Sequence, residues 1–344
     1  MVAAARLELR AYQPSDREQL IRLLAVGRPT GYDARKRAIF EWQFQRNPDC
    51  MRCSPFVVGE SNGEVVGMSG LMPARVRFQG VSRAACWSCD TYVSPQSRGR
   101  GFGKQLVRHV SEAAPVMLAF GISHMSDPIF HSFGWRLHPR VQLVFFHVAE
   151  RGVKGAIKNC LTRLASLRTF NRAAVDVELV DEWGDALGGE LDTLWAECAD
   201  GYVNAVERDG AYLGWKYFGH PVLHYRGYAL RHAGALRGLM IARYHPDESV
   251  IADYCGPAND RDTMLDLVTS TLRDLVARGT ARVRCETTHP PLLAALREVG
   301  FVGSSYASRF RVHARDAADA VGDWLVMTGD SDGDMLARPA ARAS

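Results

Sequence analysis

The sequence predicts an α/β fold built as two similar domains. Three observations predict it. A strand, a glycine-rich turn and a helix follow one another between residues 84 and 110. Short runs of alternating apolar residues, broken by turn signals, mark hairpins before that unit. The second half of the chain then repeats landmarks of the first at a near-constant offset.

In chain order, Leu7 to Arg10 alternates as a short strand. Pro14-Ser15-Asp16 opens a helix, with Ser15 or Asp16 as cap and Leu20, Ile21, Leu23 and Leu24 facing inward. Residues 34–46 form a second helix carrying Ile39, Phe40, Trp42 and Phe44, closed by Asn47-Pro48. Phe56–Glu60 and Glu64–Leu71 pair as a hairpin across Ser61-Asn62-Gly63, because Asn-Gly supplies the positive φ angles of a tight hairpin turn. Arg75–Phe78 is a further strand, and Ala85–Val93 another that stops before Pro95. Leu106, Val107 and Val110 mark the helix after the glycines. Val116–Phe120 reads as a strand, Gly121–Pro128 as a loop, Ile129–Phe133 as a short helix and Val141–Val148 as a last strand. Residues 151–173 are basic and amphipathic and read as a connecting helix.

The repeat is legible in three places. Trp42-Gln43-Phe44 is matched by Trp215-Lys216-Tyr217, the hairpin around Gly67 by the one around Gly238, and Phe133-Gly134 by Val299-Gly300. The offsets are 173, 171 and 166. Ser249–Tyr254, a helix over 262–277, Arg282–Cys285 and a helix over Leu292–Val299 then correspond to the strand and helices of the first copy. The copies differ between Asp253 and Met264. There the glycine series is missing and Asp260 and Asp262 stand in its place, which disfavours an anion. Residues 314–344 are rich in Ala, Asp, Gly and Ser. Trp324 to Met327 can pack as a short strand, and the last dozen residues read as loose.

The first copy's turn is Arg98-Gly99-Arg100-Gly101-Phe102-Gly103-Lys104. Glycines before a helix let backbone N–H groups converge on an anion, and the three cations add to the attraction. The P-loop pattern requires Ser or Thr after the Lys, and Gln105 stands there. A dinucleotide fingerprint needs other glycine spacing and an acid closing a second strand. The residues alone therefore indicate a phosphate or pyrophosphate site of unspecified kind. A basic surface turn is the alternative, and it explains three glycines in five residues poorly.

The segment VSPQSRGRGFGKQLV resembles the acyl-coenzyme A signature of the GCN5-related N-acetyltransferase (GNAT) superfamily, in which Arg or Gln is followed by two residues, Gly, one residue, and Gly or Ala. Arg98, Gly101 and Gly103 fill those places. An aromatic ahead of a Gly-aromatic pair follows as Phe130-His131-Ser132-Phe133-Gly134-Trp135. The resemblance covers the chain to about residue 313. It implies two GNAT-like domains, each a mixed, mostly antiparallel sheet flanked by helices. They comprise an acyl-coenzyme A-binding domain over 1–150 and, after the connector, a degenerate domain over 174–313 that completes the acceptor site. The implied co-substrate is acetyl-coenzyme A or a longer acyl-coenzyme A, held by Tyr92, Val93, Arg98, Gly99, Arg100, Gly101, Phe102, Gly103, Lys104 and Phe130.

The implied reaction is direct transfer of the acyl group to an amine in a ternary complex. It needs a base for the amine, a donor where charge develops and a cleft holding both substrates. Asp90 is the favoured base, since an acid within an apolar strand needs a reason to be there. Its alternative is a structural hydrogen bond. His124 and His131 are the other candidates. Many relatives carry Tyr where this chain has Phe130, and a ring without a hydroxyl cannot protonate a leaving thiolate. Phe130 then packs on the pantetheine arm, and solvent supplies the proton. Trp42, Trp87 and Trp215 read as core aromatics, with lining of the acceptor site as their functional alternative.

Composition narrows the rest. A chain of 344 residues fits two domains. A charge of +4 does not argue for nucleic acid. No run approaches a membrane span, and the first residues lack a secretion-signal core. Eight thinly spread cysteines suit a reducing, cytoplasmic setting. Cys50/Cys53 and Cys86/Cys89 have zinc-like spacing, but strand alternation puts Cys86 and Cys89 on opposite faces, so no metal is expected. The expectation is an N-acyltransferase, monomeric or homodimeric, acting on a small-molecule amine such as an amino sugar or natural product. A protein or peptide amine as acceptor, or a non-catalytic acyl-coenzyme A sensor or scaffold, are its rivals.

Overall fold

A computed structural model describes residues 7–26, 32–50, 54–139, 141–150, 155–157, 159, 160, 162, 175, 177–315 and 322–332. The first half contributes β1 (Glu8–Ala11), α1 (Arg17–Ala25), α2 (Tyr32–Phe44), β2 (Phe56–Ser61), β3 (Glu64–Phe78), β4 (Val81–Val93), α3 (Phe102–Val110), β5 (Val116–Phe120), α4 (Asp127–Ser132), β6 (Arg136–Leu137) and β7 (Gln142–His147). The second half contributes β8 (Val177–Val180), α5 (Asp185–Cys198), β9 (Asn204–Val206), α6 (Gly210–Leu213), β10 (Arg226–His232), β11 (Ala235–Arg243), β12 (Ser249–Cys255), α7 (Arg261–Ala277), β13 (Arg282–Thr287), α8 (Pro290–Val299), β14 (Val302–Gly303), β15 (Phe310–Ala314) and β16 (Trp324–Leu325). Of the connector read over 151–173, residues 155–157, 159, 160 and 162 are helical and the rest lies outside the described residues.

Two mixed, mostly antiparallel sheets result, each flanked by helices. The first runs β1-β2-β3-β4-β5-β15-β6, with β9 on β3 and β16 on β9. The second runs β14-β7-β13-β12-β11-β10-β8. The parallel pairs at their centres are β4 with β5 and β12 with β13, and β16 also runs parallel to β9 on the branch of the first sheet. The Asn62-Gly63 turn forms as expected, with φ of +55° and +78°. The strands read at 64–71 and 75–78 are one fifteen-residue strand, β3. Its return onto β4 runs through Gln79-Gly80, both at positive φ.

The sheets do not follow the covalent halves. β7, the strand expected to end the first copy, pairs with β13 from Arg282↔His147 to Thr287↔Gln142. In exchange β15 pairs with β5 from Phe310↔Phe120 to Ala314↔Val116. Each half thus hands its late strand to the partner's parallel pair. The alternation of these strands is equally satisfied in either sheet, so pattern alone could not choose. Burial follows the same plan. One core cluster combines Phe40, Phe56, Trp87 and Val116 with Tyr217, Ile251, Leu267 and Phe310.

The repeat reappears as a symmetric contact at the seam. Trp42 and Trp215, 173 residues apart, stack with centroids 4.9 Å apart. Each indole Nε1 donates to the other residue's carbonyl at 2.8 Å. No described helix is long and apolar enough to cross a membrane.

Candidate active site

The site begins with a fork in the first sheet. β4 and β5 pair in parallel only at Ala85↔Val116, Cys86↔Met117 and Trp87↔Leu118. Beyond Trp87 the strands diverge. The cause lies in β4, where Asp90 and Thr91 together oppose Ser69 of β3, a bulge that bends the strand away. Asp90 takes the extra turn, at φ +50°. Aspartate tolerates this left-handed conformation better than most residues. Ser69 Oγ and Thr91 Oγ1 close the bulge with a 2.7 Å hydrogen bond.

A cavity of about 490 Å³ fills the fork. β4 lines it with Ser88, Cys89, Asp90 and Thr91, and the β5–α4 segment with Phe120, Ser123, Ser126 and Phe130. The second half closes it with Arg284, Glu286, Ser308, Thr328 and Asp332. The wall is thus rich in hydroxyls and carboxylates. Thr328 Oγ1 is buried and has no hydrogen-bond partner among the described residues. Glu286 is occupied, accepting from Ser308 N at 2.6 Å.

Asp90 is not a lone acid. It forms an ion pair with Lys36 of α2, and both side chains are almost wholly excluded from solvent. Gln43 Oε1 accepts from Lys36 Nζ at 3.2 Å. A second carboxylate, Asp332, joins Asp90 from the C-terminal segment. The donor atoms of Cys89, Asp90 and Asp332 lie within 4.8 Å of one another. Burial, and then the charge of Asp90, push the Asp332 carboxyl up to about 6, while Lys36 and Lys216 pull it back. Burial also raises the Cys89 thiol, which keeps it protonated and a poor nucleophile or metal ligand. The cation that Asp90 holds is the Lys36 ammonium, so the cluster suits proton transfer better than metal binding. Cys86 packs in a different core cluster from Cys89, as strand alternation requires. Cys53, the partner considered for Cys50, lies outside the described residues.

The glycine turn sits at the start of α3. Gly99 and Gly101 have φ of +78° and +80°, and a Cβ added to either would meet nothing within 4 Å. These glycines are therefore required by backbone conformation, not by space. The first helical bonds run from Lys104 N and Gln105 N to Gly101 O. The amides of Phe102 and Gly103, ahead of them, have no intrahelical acceptor. Arg100 and Lys104 are exposed beside them. Arg98 is directed elsewhere. Its Nε donates to Val93 O at 3.1 Å and its guanidinium lies over the Tyr92 ring at 5.4 Å. Tyr92 and Val93 are thereby tied to the turn as supports. The Phe102 side chain is buried against Leu7 and Val66, so only its backbone faces the turn.

The second copy's counterpart is closed by its own side chains. Tyr202, Tyr254 and His289 donate to the carbonyls of Gly256, Pro257 and Ala258 at 2.7, 2.9 and 2.8 Å. Burial lowers His289 to about 4, so it is neutral at physiological pH. At the head of α7, Asp260 already accepts from Thr263 N and Oγ1. A carboxylate occupies the place where an anion would sit.

Several expected site residues lie away from the cavity. His124 is exposed and bonded to Arg309 Nη2 at 2.8 Å, and His131 is exposed on α4. Trp42 and Trp215 face each other across the seam. Trp87 is buried against Phe310, below the fork. None of these five residues lines the cavity. Phe130 does, and it also packs edge-on against Trp135 at 4.9 Å. Lys36, Glu286, Thr328 and Asp332 were not foreseen. Lys36 had a readable signal, since it falls on the same helical stripe as Phe40 and Phe44. Asp332 had none beyond an acidic, small-residue run after an apolar stretch.

Residues 8–138 match the family model of the acetyltransferase (GNAT) domain. The chain carries a GNAT acetyltransferase domain. The domain classes the protein as an acyl-coenzyme A-dependent acyltransferase. Solved structures extend the likeness beyond it. A GCN5-related N-acetyltransferase from Kribbella flavida matches 93% of this chain and 74% of its own, at TM-score 0.61 and 14% identity. One from Anabaena variabilis matches 89% and 72%, at 0.61 and 12%. Saccharomyces cerevisiae N-myristoyltransferase with bound myristoyl-CoA matches 91% and 83%, at 0.57 and 9%. At such identities these likenesses show the fold, and they show that the GNAT domain and its second half recur together. None of the curated proteins matches the chain.

Proposed function

We propose that the protein moves an acetyl or longer acyl group from acyl-coenzyme A to a primary amine of a small, polar molecule such as an amino sugar, with Asp332 as the base. The observation that carries this reading is the cavity at the β4/β5 fork, where Asp332 and Asp90 face a wall of hydroxyls. A cationic, hydroxylated amine fits that lining, and the unpartnered Thr328 hydroxyl awaits such a ligand.

The glycine turn fits the coenzyme's phosphates. The backbone amides of residues 99–103, with Arg100 and Lys104, would hold them, and Phe130 would face the pantetheine arm. Bound acyl-coenzyme A would supply an activated thioester carbonyl. The chain's own residues do the rest. Asp332, ionised above about pH 6, takes a proton from the acceptor's ammonium group. The Lys36–Asp90 pair keeps the bulge charged yet neutral overall, so the acceptor is oriented without competing strongly for the base. Phe130 has no proton to give. Ser123 and Ser126 are the hydroxyls that the β5–α4 wall offers, with solvent beyond them.

The test begins with titration of acetyl-, octanoyl- and palmitoyl-coenzyme A into the folded protein and into Gly101→Asp. It continues with a thiol-release screen of amino sugars, polyamines and peptides. Binding by the wild type alone, followed by turnover with an acid limb near pH 6 that Asp332→Asn abolishes, supports the proposal. Binding without turnover of any amine favours a sensor. No binding by the folded wild type refutes the reading.

A further inference from the structure

Asp332 reaches the cavity on a segment that the second half holds by an unusually buried set of charges. Arg208 has no exposed side-chain surface, and neither do Asp253 and Asp330. Arg208 Nη2 donates to Asp330 Oδ2 at 2.8 Å, and Nε donates to Asp253 Oδ1 at 3.0 Å. The same Asp330 oxygen accepts from Met327 N at 2.8 Å, while Oδ1 has no partner among the described residues. Tyr217 OH donates to Asp253 Oδ2 at 2.7 Å, which completes the setting of Arg208.

A second cation grips the backbone one step further on. Lys216 Nζ donates to Ser331 O at 3.0 Å and to Asp330 O at 3.4 Å. It is buried over the rings of Trp42 and Trp215, the pair at the seam. Its repeat counterpart is Gln43, which bonds Lys36 in the first half. Neither Arg208 nor Lys216 lines the cavity. The backbone between these grips is also fitted tightly. Thr328 N donates to Glu286 O and Gly329 N to Ala252 O. A Cβ at Gly329 would stand 2.8 Å from Ala252 O.

These contacts have one feature in common. They come from the second half, they end at residue 331, and the next residue is the carboxylate in the first half's cleft. Burying two carboxylates and a guanidinium contributes little stability compared with an apolar packing of the same volume, so its use is better sought in geometry. We propose that Arg208 and Lys216 are positioning residues, which clasp Thr328–Ser331 from the second half so that Asp332 is presented to the fork of the first. This rests on the reading of Asp332 as the base. It gives the second half a task other than binding coenzyme, namely placing a group that the first half lacks.

The experiment uses the full chain with Lys216→Met, Asp330→Asn, Gly329→Ala and Asp332→Asn, and combines each of the first three with the last. Gly329→Ala alters no charge but drives a Cβ against Tyr217 Oη and Ala252 O. Lys216→Met, which keeps the buried volume and gives up hydrogen bonds to backbone carbonyls, keeps the test open if another variant fails to fold. Amide hydrogen exchange at 327–331 is read alongside kcat and KM, using acetyl-coenzyme A and the best amine of the screen. The clasp predicts faster exchange in the first three variants and not in Asp332→Asn. It predicts kcat lower by about 100-fold, as for a misplaced catalytic group, with KM for acetyl-coenzyme A unchanged. In the Asp332→Asn background the same three changes then cause no further loss, because the group they position is already gone. Unchanged exchange and kcat beside a crippled Asp332→Asn overturn the clasp and leave the base reading intact. Losses that multiply with that of Asp332→Asn also overturn it, since they mark general stabilisation. An active Asp332→Asn sinks the base reading instead, while the exchange data still decide whether the segment is held.

Discussion

Replacing Lys36 by methionine tests the electrostatic floor of the site. The Lys36 and Asp90 side chains are 2% and 5% exposed, and Asp90 is held at φ +50° in the bulge. Methionine keeps most of the buried aliphatic volume and leaves a carboxylate without its cation. Breaking a buried pair from one side costs about 3–5 kcal/mol. At about 2–4 °C per kcal/mol for large domains, Tm should fall by roughly 6–20 °C at neutral pH. Lys36→Met/Asp90→Asn should recover more than half of the loss, since asparagine is neutral and also tolerates positive φ. The same change removes a cation that favours ionised Asp332. The acid limb of turnover should therefore move above its starting value of about pH 6. Calorimetry on the four members of the cycle, with a pH profile of the single variant, reads both effects. A cost below about 1 kcal/mol, or single losses that simply add in the double variant, would refute a buried and coupled pair.

Other perturbations probe the turn and the exchange of strands. Gly101→Ala forces a Cβ into φ +80° with no steric contact to relieve, so it should cost about 1–2 kcal/mol and weaken acyl-coenzyme A binding while circular dichroism stays unchanged. Fragments 1–150 and 151–344 should each aggregate when expressed alone, because β7 and β15 lie in the sheet of the other fragment. Co-expression should restore a soluble complex, measured by size exclusion, and a soluble, folded 1–150 fragment would contradict the exchange.

The sequence by itself determined what is local. The Asn62-Gly63 turn, the end of β4 before Pro95, and Gly99 and Gly101 at a helix start all follow from backbone chemistry within a few residues. The repeat was legible as well, because Trp42 and Trp215 occupy matching places and meet in the structure. So was the difference between the copies, since Asp260 in place of the glycines needs no partner to be read. Asp90 could be singled out because an acid in an apolar strand is conspicuous. Its environment could not be read. Whether it stands free or paired depends on Lys36, 54 residues away on another element. Only the tertiary structure decided that Val141–Val148 joins the second sheet, since a strand of period two fits either. Only it brought Asp332 and Thr328 to the fork, in a short acidic run between the strand read at Trp324–Met327 and the last dozen residues, whose local pattern points to no site. Long-range contacts of this kind are chosen by the packing of two halves around one core, and no residue-by-residue pattern encodes which surface a distant segment will meet.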